Sequence, residues 1–456
     1  MSKVLFVYAK GGPPLEYALS RVAAKAEVHL LALSALPPSV RDACTRLCAS
    51  VVVPSEARAR DLVALIMDRA RSVGADAVMT VSEYAVVAVA DACERLGLAG
   101  SGGNCVLARD KRMMRRTWSE HGVSQPRFHS VASEDDLRDA ARTLSFPMLL
   151  KAAWSAGSTA HRIIRSPNEV GPAWDRAREV MAESAGLGYA ELHVEGAGAD
   201  FLVEEIVHGD AEGWFADAGW GDYVSVEGVV ADGVYHPICL SGRMPTIEPF
   251  TERASITPAP LPAAAQERVV ALSRAAVDAL GLENCGTHTE IKLGSDGRMW
   301  VIETAARFGG AMTVPQIEDV FALDLIGLLA DQLLGRDVSW PAEVLGGEQA
   351  RHAAGSLVVL AVDGDGAPWP DRRAWDFDAV DWPSLLSPGS RLSEVTEHSL
   401  PRGSTVPVYD PAAGANTMAA LCLLSAARPV TVIRDFEALT AAFPGVLPAA
   451  AKDGGA

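Results

Sequence analysis

"THTEIKLGSDGRMWVIETAARFGG", residues 287–310, is the stretch on which the reading of this chain turns. Two runs rich in β-branched and apolar residues, 287–293 and 298–303, flank "GSDG", which is turn chemistry, so the segment reads as a β-hairpin. With Leu293 opposite Arg298 across a four-residue loop, Glu290 faces Val301 and Glu303 lies two residues further along the same face. The carboxylates are then diagonal neighbours with Cβ atoms about 7–8 Å apart, or closer if the register slips by a pair.

Two like charges on one sheet face raise a pKa or weaken the sheet unless something offsets them. Mg²⁺ does so, because it favours a few carboxylates completed by the oxygens of substrate phosphates. The hairpin alone leaves a second reading open, a solvated polar face on which the glutamates pair with Lys292 and Arg307.

Composition narrows the setting. At 456 residues the chain is long enough for two to four compact units, and its 49% hydrophobic and 21% charged residues are ordinary for a soluble globular enzyme. A formal charge of −18 excludes a general nucleic-acid or anionic-membrane surface, so an anionic ligand has to be met by a local cluster of Lys and Arg. The seven cysteines form no CxxC pair. Cys44 and Cys48 read as small buried thiols on a helix, consistent with a reducing cytoplasm. "VLFVYA" is too short for a signal-peptide core and no run of 18 apolar residues occurs, so a soluble cytoplasmic protein is expected.

Along the chain, residues 1–105 alternate strand and amphipathic helix, as a small parallel α/β domain does. "KGGPP" at 10–14 reads as a phosphate loop or a tight turn; it matches neither GxGxxG nor GxxxxGK[ST]. "GSGGN" at 100–104 marks a boundary, and the following residues read as α+β in two parts, 106–205 and 206–345. A final unit, 346–456, reads as mostly β with an Ala-rich helix near 412–427, and "RPVTVIRDF" after it as a surface strand.

Four features follow one another in order: Lys111 on a basic helix, Lys151 ending an apolar strand before the small-residue loop "WSAGSTAH", "VEEIVHG" at 203–209, and the Glu290/Glu303 pair with Arg307. Singly each has a plain structural reading. Together they supply what a nucleoside triphosphate requires: cations for its phosphates, a backbone-rich flap, acceptors for adenine and ribose, and carboxylates for Mg²⁺.

In this order the residues resemble the ATP-grasp carboxylate–amine ligases, and within them the bacterial L-amino-acid ligases of the bacilysin-synthesis type. The resemblance rests on "ACERLGL", "ARDK", "PMLLK", "VEEIVHG", "DYVSVEGVVADGVYHPI", "TERASITP", "CGTHTEIKL" and "IETAARFGG", and covers roughly residues 75–335. It implies an ATP-grasp fold with an N-terminal Rossmann-like parallel α/β domain and a C-terminal, mostly β, α+β domain. Lys111 and Lys151 are implied as nucleotide lysines, with Ser155, Gly157 and Ser158 in the flap over the phosphates. Glu204, Glu205 and Ile206 fall beside adenine and Glu212 is the candidate for the ribose. Glu290 and Glu303 are implied as Mg²⁺ ligands, with Mn²⁺ as a substitute ion. Arg307, with Lys151, is implied in catalysis; Glu252, Ser255, Gly310 and Ala311 join Arg307 in lining the amino-acid pocket.

The implied reaction phosphorylates one amino acid's carboxylate with ATP and joins it to the amine of a second, releasing ADP and phosphate. Such chemistry needs positioning and charge neutralisation rather than a protein nucleophile. The partners implied are small amino-acid substrates and, by likeness to relatives, a second copy of the chain. Two departures stand out. Asn commonly follows the second metal glutamate by two residues, where this chain has Ala305, which leaves a third protein ligand in doubt. A Trp often follows the arginine by four residues, where this chain has Ala311, which implies a roomier pocket for the first amino acid. Two other readings stay open: a ligase joining a peptide or non-proteinogenic carboxylate to an amine, and a nucleotide-binding sensor without catalysis. "HTE" at 288–290 echoes a zinc-deaminase motif without its PCxxC partner, so His288 is expected as a neighbour of the metal carboxylates or a plain sheet residue.

Overall fold

The computed structural model describes residues 1–36, 38–54, 62–155, 161–186, 200–248, 250–411 and 413–451. Its first sheet is parallel: β1 (Lys3–Tyr8), β2 (Glu27–Ala32), β3 (Ser50–Val52) and β4 (Ala77–Met79) in the order β3-β2-β1-β4. Between them run α1 (Leu15–Ala23), α2 (Arg41–Leu47) and α3 (Leu62–Val73), and α4 (Val86–Leu96) follows β4. β1 is buried on both faces, with Val4, Leu5, Phe6 and Val7 all inaccessible, as a parallel strand covered by helices on each side requires. Gly97, with φ +69°, ends α4 in the left-handed conformation glycine adopts without a Cβ penalty. All seven cysteines are buried free thiols.

The chain continues through α5 (Lys111–Glu120), whose start is capped by Asp110 accepting from the Arg112 and Met113 amides. A second, antiparallel sheet has the order β5-β8-β6-β7, from β5 (Phe128–Val131), β6 (Met148–Ala152), β7 (Arg162–Ile164) and β8 (Phe201–Glu205). It packs under α6 (Glu134–Ala140) and α7 (Val170–Gly186). Lys151 stands opposite Leu202 in this sheet, which sets its side chain on the face shared by Glu204.

The third sheet has eight strands in the order β13-β12-β9-β10-β11-β14-β18-β16. Before residue 345 it comprises β9 (Tyr223–Ala231), β10 (Val234–Arg243), β11 (Ala254–Thr257), β12 (Cys285–Leu293) and β13 (Met299–Ala305). After it come β14 (Ala353–Val359), β16 (Arg391–Glu394) and β18 (Ala420–Ala426), while β15 (Ala374–Trp375) and β17 (Ser404–Thr405) form a separate pair. Strands from both sides of residue 345 therefore share one ladder. Its apolar face, including Val224, Val226, Ile291, Leu293 and Val301, packs on α8 (Ala263–Leu280). Between β13 and β14 lie α9 (Thr313–Phe321) and α10 (Leu325–Leu333).

Three local expectations are corrected. Leu293 pairs with Met299 rather than Arg298, because the turn takes five residues, with Gly297 at φ +77° and the Arg298 amide donating to Asp296. An irregularity between Glu290 and Ile291 then puts Glu290 directly opposite Glu303, the closer of the two arrangements the spacing allowed. The Ala-rich stretch is no helix: residues 414–417 make one short 3-10 turn, and 420–426 is β18, held between β14 and β16. Six buried residues out of seven, on both faces, favour a strand over a short helix. "RPVTVIRDF" instead opens helix α11 (Pro429–Val446) with Pro429 at its first position. Val432, Ile433, Phe436, Leu439 and Phe443 recur at helical spacing and are buried, each contributing about 1.5–3 kcal/mol and overriding the β preference of Val and Ile. Among the described residues no helix is long and apolar enough to cross a membrane.

Candidate active site

Successive side chains of a strand point to opposite faces, so one period-two series on each strand of the large sheet faces away from its apolar core. Ladder pairs join these series into polar rows. Glu303 stands opposite Glu290, Glu290 opposite Ser225, and Ser225 opposite Ser241. A second row runs from Arg243 through Ser255 to Ser356. With the second sheet and the N-terminal unit this face encloses a cleft of about 760 Å³.

The facing glutamates are not paired with Lys292 or Arg307. Glu290 has His288 Nε2 at 3.4 Å and Glu303 has Lys111 Nζ at 3.1 Å, whereas Lys292 pairs with Asp222 at 2.6 Å and Arg307 with Glu83 at 2.6 Å. The solvated-face reading of the hairpin therefore gives way. Among the described residues no group of three or more His, Cys, Asp or Glu side chains is arranged to hold a metal ion. Two opposed carboxylates open to a cleft, with no third beside them, match the donor set of a Mg²⁺ ion completed by phosphate oxygens. The residues thus fit the ion.

His288 is buried between Glu290 and Glu227, with Nδ1 2.6 Å from Glu227. Burial works to lower the imidazole's pKa, but the Glu227 charge outweighs it and raises it to about 9. Glu227 also accepts from Ser225 Oγ at 2.9 Å and from the Gly309 amide at 3.2 Å, so this buried carboxylate pins the loop after Arg307.

The lysines are equally constrained. Lys111 Nζ donates to the Ser155 carbonyl at 2.6 Å, at the base of the small-residue loop. Lys151 is paired with Glu204, which also accepts from Arg115 Nη2 at 2.8 Å. Burial pushes the Glu204 carboxyl up, but Lys151 and then Arg115 overcome that and hold it down at about 2. Glu204, expected beside adenine, therefore sits in a buried ion-pair group at the cleft wall. His161 lines the cleft near both lysines; burial, then their charges, push its pKa well below the usual histidine value.

Arg307 is oriented from the N-terminal unit. Its Nε donates to Glu83 at 2.6 Å, and Glu83 also has Arg109 Nε at 3.5 Å. Burial opposes the charge on Glu83, yet Arg307, Arg109 and Lys111 keep its pKa below the usual carboxylate range. The guanidinium of Arg109 lies 5.5 Å from the Trp154 ring and donates to the Trp154 carbonyl at 2.7 Å, joining Glu83 to the residue before Ser155. "KGGPP" also reaches the site: Lys10 lines the cleft, and Gly12, at φ +118°, packs where any Cβ would meet the Val81 carbonyl at 2.2 Å.

The cleft collects Lys111, Lys151, Ser155, Glu204, Glu205, Ile206, Glu252, Ser255, Glu290, Glu303, Arg307, Gly310 and Ala311. Glu212 is exposed and does not line it. Gly157 and Ser158 lie outside the described residues. Sequence reasoning missed Glu83, Arg115, Glu227 and Arg243. The alternation Tyr223-Ser225-Glu227 was a readable signal for one of them; the others stand outside any motif.

Residues 144–315 match a family model for the ATP-grasp domain. More particularly, the chain is 36% identical over 287 residues to the alanine–anticapsin ligase of Bacillus subtilis (strain 168). That stretch is 62% of this chain and spans 60% of that ligase's length. It is 26% identical over 258 residues to a D-alanine–D-alanine ligase of Pseudomonas putida (strain GB-1), 53% of this chain and 71% of that enzyme. In fold it is similar to the crystal structure of an L-amino acid ligase from Bacillus licheniformis, with a TM-score of 0.71 at 19% identity, covering 96% of this chain and 97% of that one.

Proposed function

We propose that the protein is a cytoplasmic, ADP-forming ligase that makes an amide bond between two L-amino acids or amino-acid-like metabolites. The observation that carries this reading is the convergence, in one cleft, of Lys111, Lys151, Arg307 and the facing pair Glu290 and Glu303. ATP is the phosphoryl donor. Glu290 and Glu303 would hold Mg²⁺, or Mn²⁺ in its place, which when bound neutralises charge on the phosphate oxygens.

Lys111 and Lys151 would carry nucleotide charge. Arg307, fixed by Glu83, holds the first substrate's carboxylate and the transferring group. An oxygen of that carboxylate displaces ADP from the γ-phosphorus to give an acyl phosphate. The second substrate's amine then attacks the acyl carbon, phosphate leaves with its oxygen, and the nitrogen gives up its extra proton. Positioning and electrostatic stabilisation supply the rate, so the absence of a nucleophilic Ser or Cys from this scheme is expected.

The small side chain of Ala311 on the cleft wall favours a first substrate larger than alanine, and admits a non-proteinogenic carboxylate. Hydroxylamine trapping tests the proposal. With Mg·ATP, a carboxylate substrate and hydroxylamine, an aminoacyl hydroxamate and ADP should accumulate together. Formation of AMP in place of ADP would indicate an adenylate and refute the acyl-phosphate route.

A further inference from the structure

Arg243 ends β10 on the cleft face of the sheet. Only 2% of the residue is exposed, yet it lines the cleft. Its Nε is 3.2 Å from Glu252, and its Nη1 reaches the Ser241 and Gly242 carbonyls only at 3.5 and 3.3 Å. Nη2 meets no acceptor among the described residues, and it is not among the polar atoms sealed away without a partner. A buried guanidinium that leaves donors unused is costly unless a ligand completes it. The planar fork suits a carboxylate.

Its neighbours are already engaged. Ser255, one ladder position away, donates its single hydroxyl hydrogen toward Gln316 Oε1 at 2.9 Å, and Gln316 is itself fixed to the Ser255 and Ala354 carbonyls at 3.1 and 3.2 Å. Lys292 is paired with Asp222 and Lys151 with Glu204; Arg307, like Arg243, is held through Nε by one carboxylate, but it is assigned to the first substrate. β10 is three strand spacings, roughly 14 Å, from β13. Arg243 therefore stands away from the strand that carries Glu303, on the side of Glu252 and Ser255.

Resting on the ligase reading above, we propose that Arg243 binds the carboxylate that survives the reaction, that of the amine-donating substrate. The first substrate's carboxylate is consumed in the acyl phosphate and is the business of Arg307. The second keeps its carboxylate into the product, and Arg243 with Nη2 open to the cleft is the group built to receive it. The site then selects α-amino acids over simple amines and amino-acid amides.

The test uses the full-length protein with Mg·ATP, a fixed first amino acid, and a second substrate offered either as the free acid or as its carboxamide. The wild type should prefer the acid by roughly 10- to 100-fold in kcat/KM, the range of one charge-assisted hydrogen-bonding contact. Arg243→Gln should raise KM for the second amino acid by a similar factor, leave KM for ATP within about twofold, and erase the acid-over-amide preference. Arg243→Lys, which keeps the charge but loses the fork, should fall between them and serves if the Gln variant does not fold. An acid-to-amide ratio unchanged in either folded variant, or a wild type indifferent to the carboxylate, would overturn the proposal while leaving the ligase reading intact. A wild type that turns over ATP with no amino-acid pair would remove the ligase reading, and this inference with it.

Discussion

Glu290 stands directly opposite Glu303 across the β12–β13 ladder, and neither carboxylate is paired with the nearby Lys292 or Arg307. Their counterions are His288 at 3.4 Å and Lys111 at 3.1 Å, both on the cleft side. Such a pair is a poor structural device and a good cation site. Glu303→Ala and Glu290→Ala should each reduce ATP turnover by at least about 10³-fold, the order of magnitude of losing a main electrostatic contributor. The far-UV spectrum and thermal midpoint should stay near those of the wild type. Full turnover in Glu303→Ala would end the assignment.

Glu83 orients Arg307 across 224 residues of sequence. Removing that carboxylate leaves the guanidinium charged but unaimed. Glu83→Gln should lower kcat by about 10- to 100-fold, since misplacement of a positioning group by about 1 Å costs that much. KM for ATP should change far less. A loss confined to KM for ATP would show that Glu83 serves the nucleotide and not Arg307.

Glu204 should make acid stability legible in a single variant. Its carboxyl is depressed from the usual 4.5 to about 2, so its contribution is complete above pH 4.5 and is lost as pH falls through 2. A depression of that size corresponds to about 3 kcal/mol. Glu204→Gln should therefore be less stable than the wild type by about that amount at pH 7, and the gap in urea-denaturation free energy should narrow between pH 4.5 and 2. A gap that stays constant over that range would show that Lys151 and Arg115 do not act through the charge of Glu204.

Ala311 has φ +52° and lies beside Gly310 on the cleft wall. If the space at Ala311 admits a large first residue, Ala311→Trp should fill it and shift preference toward Ala or Gly at that position. The left-handed backbone is already borne by the Cβ of Ala311, so the shift should come without a large change in thermal midpoint. A substrate profile identical to that of the wild type would remove Ala311 from the determinants of specificity.

The parts of the site that sequence alone revealed are those where one short stretch carries both spacing and chemistry. Glu290 and Glu303 were legible because turn residues fix a hairpin and period two fixes a face. Their direct opposition was not, because it depends on a register shift between Glu290 and Ile291 within a strand also bound to β9. Lys111 and Lys151 were legible from their order. Glu83, Arg115 and Arg243 were not: Glu83 and Arg243 are single charged residues among uncharged neighbours, Arg115 is one of several cations on a basic helix, and each is given its role by a partner 224, 89 or 9 residues away. In the C-terminal unit the alanine content of 412–427 pointed to a helix and the Val and Thr of 430–432 to a strand. Packing reversed both, because β18 lies between β14 and β16 while α11 buries Val432, Ile433 and Phe436.

The most direct measurement is phosphate release from Mg·ATP across a matrix of paired L-amino acids, with mass spectrometry of every active pair. The proposed function requires ADP together with a product whose mass is that of the two amino acids less one water. ATP binding without turnover for any pair, or phosphate release with no condensed product, would contradict it.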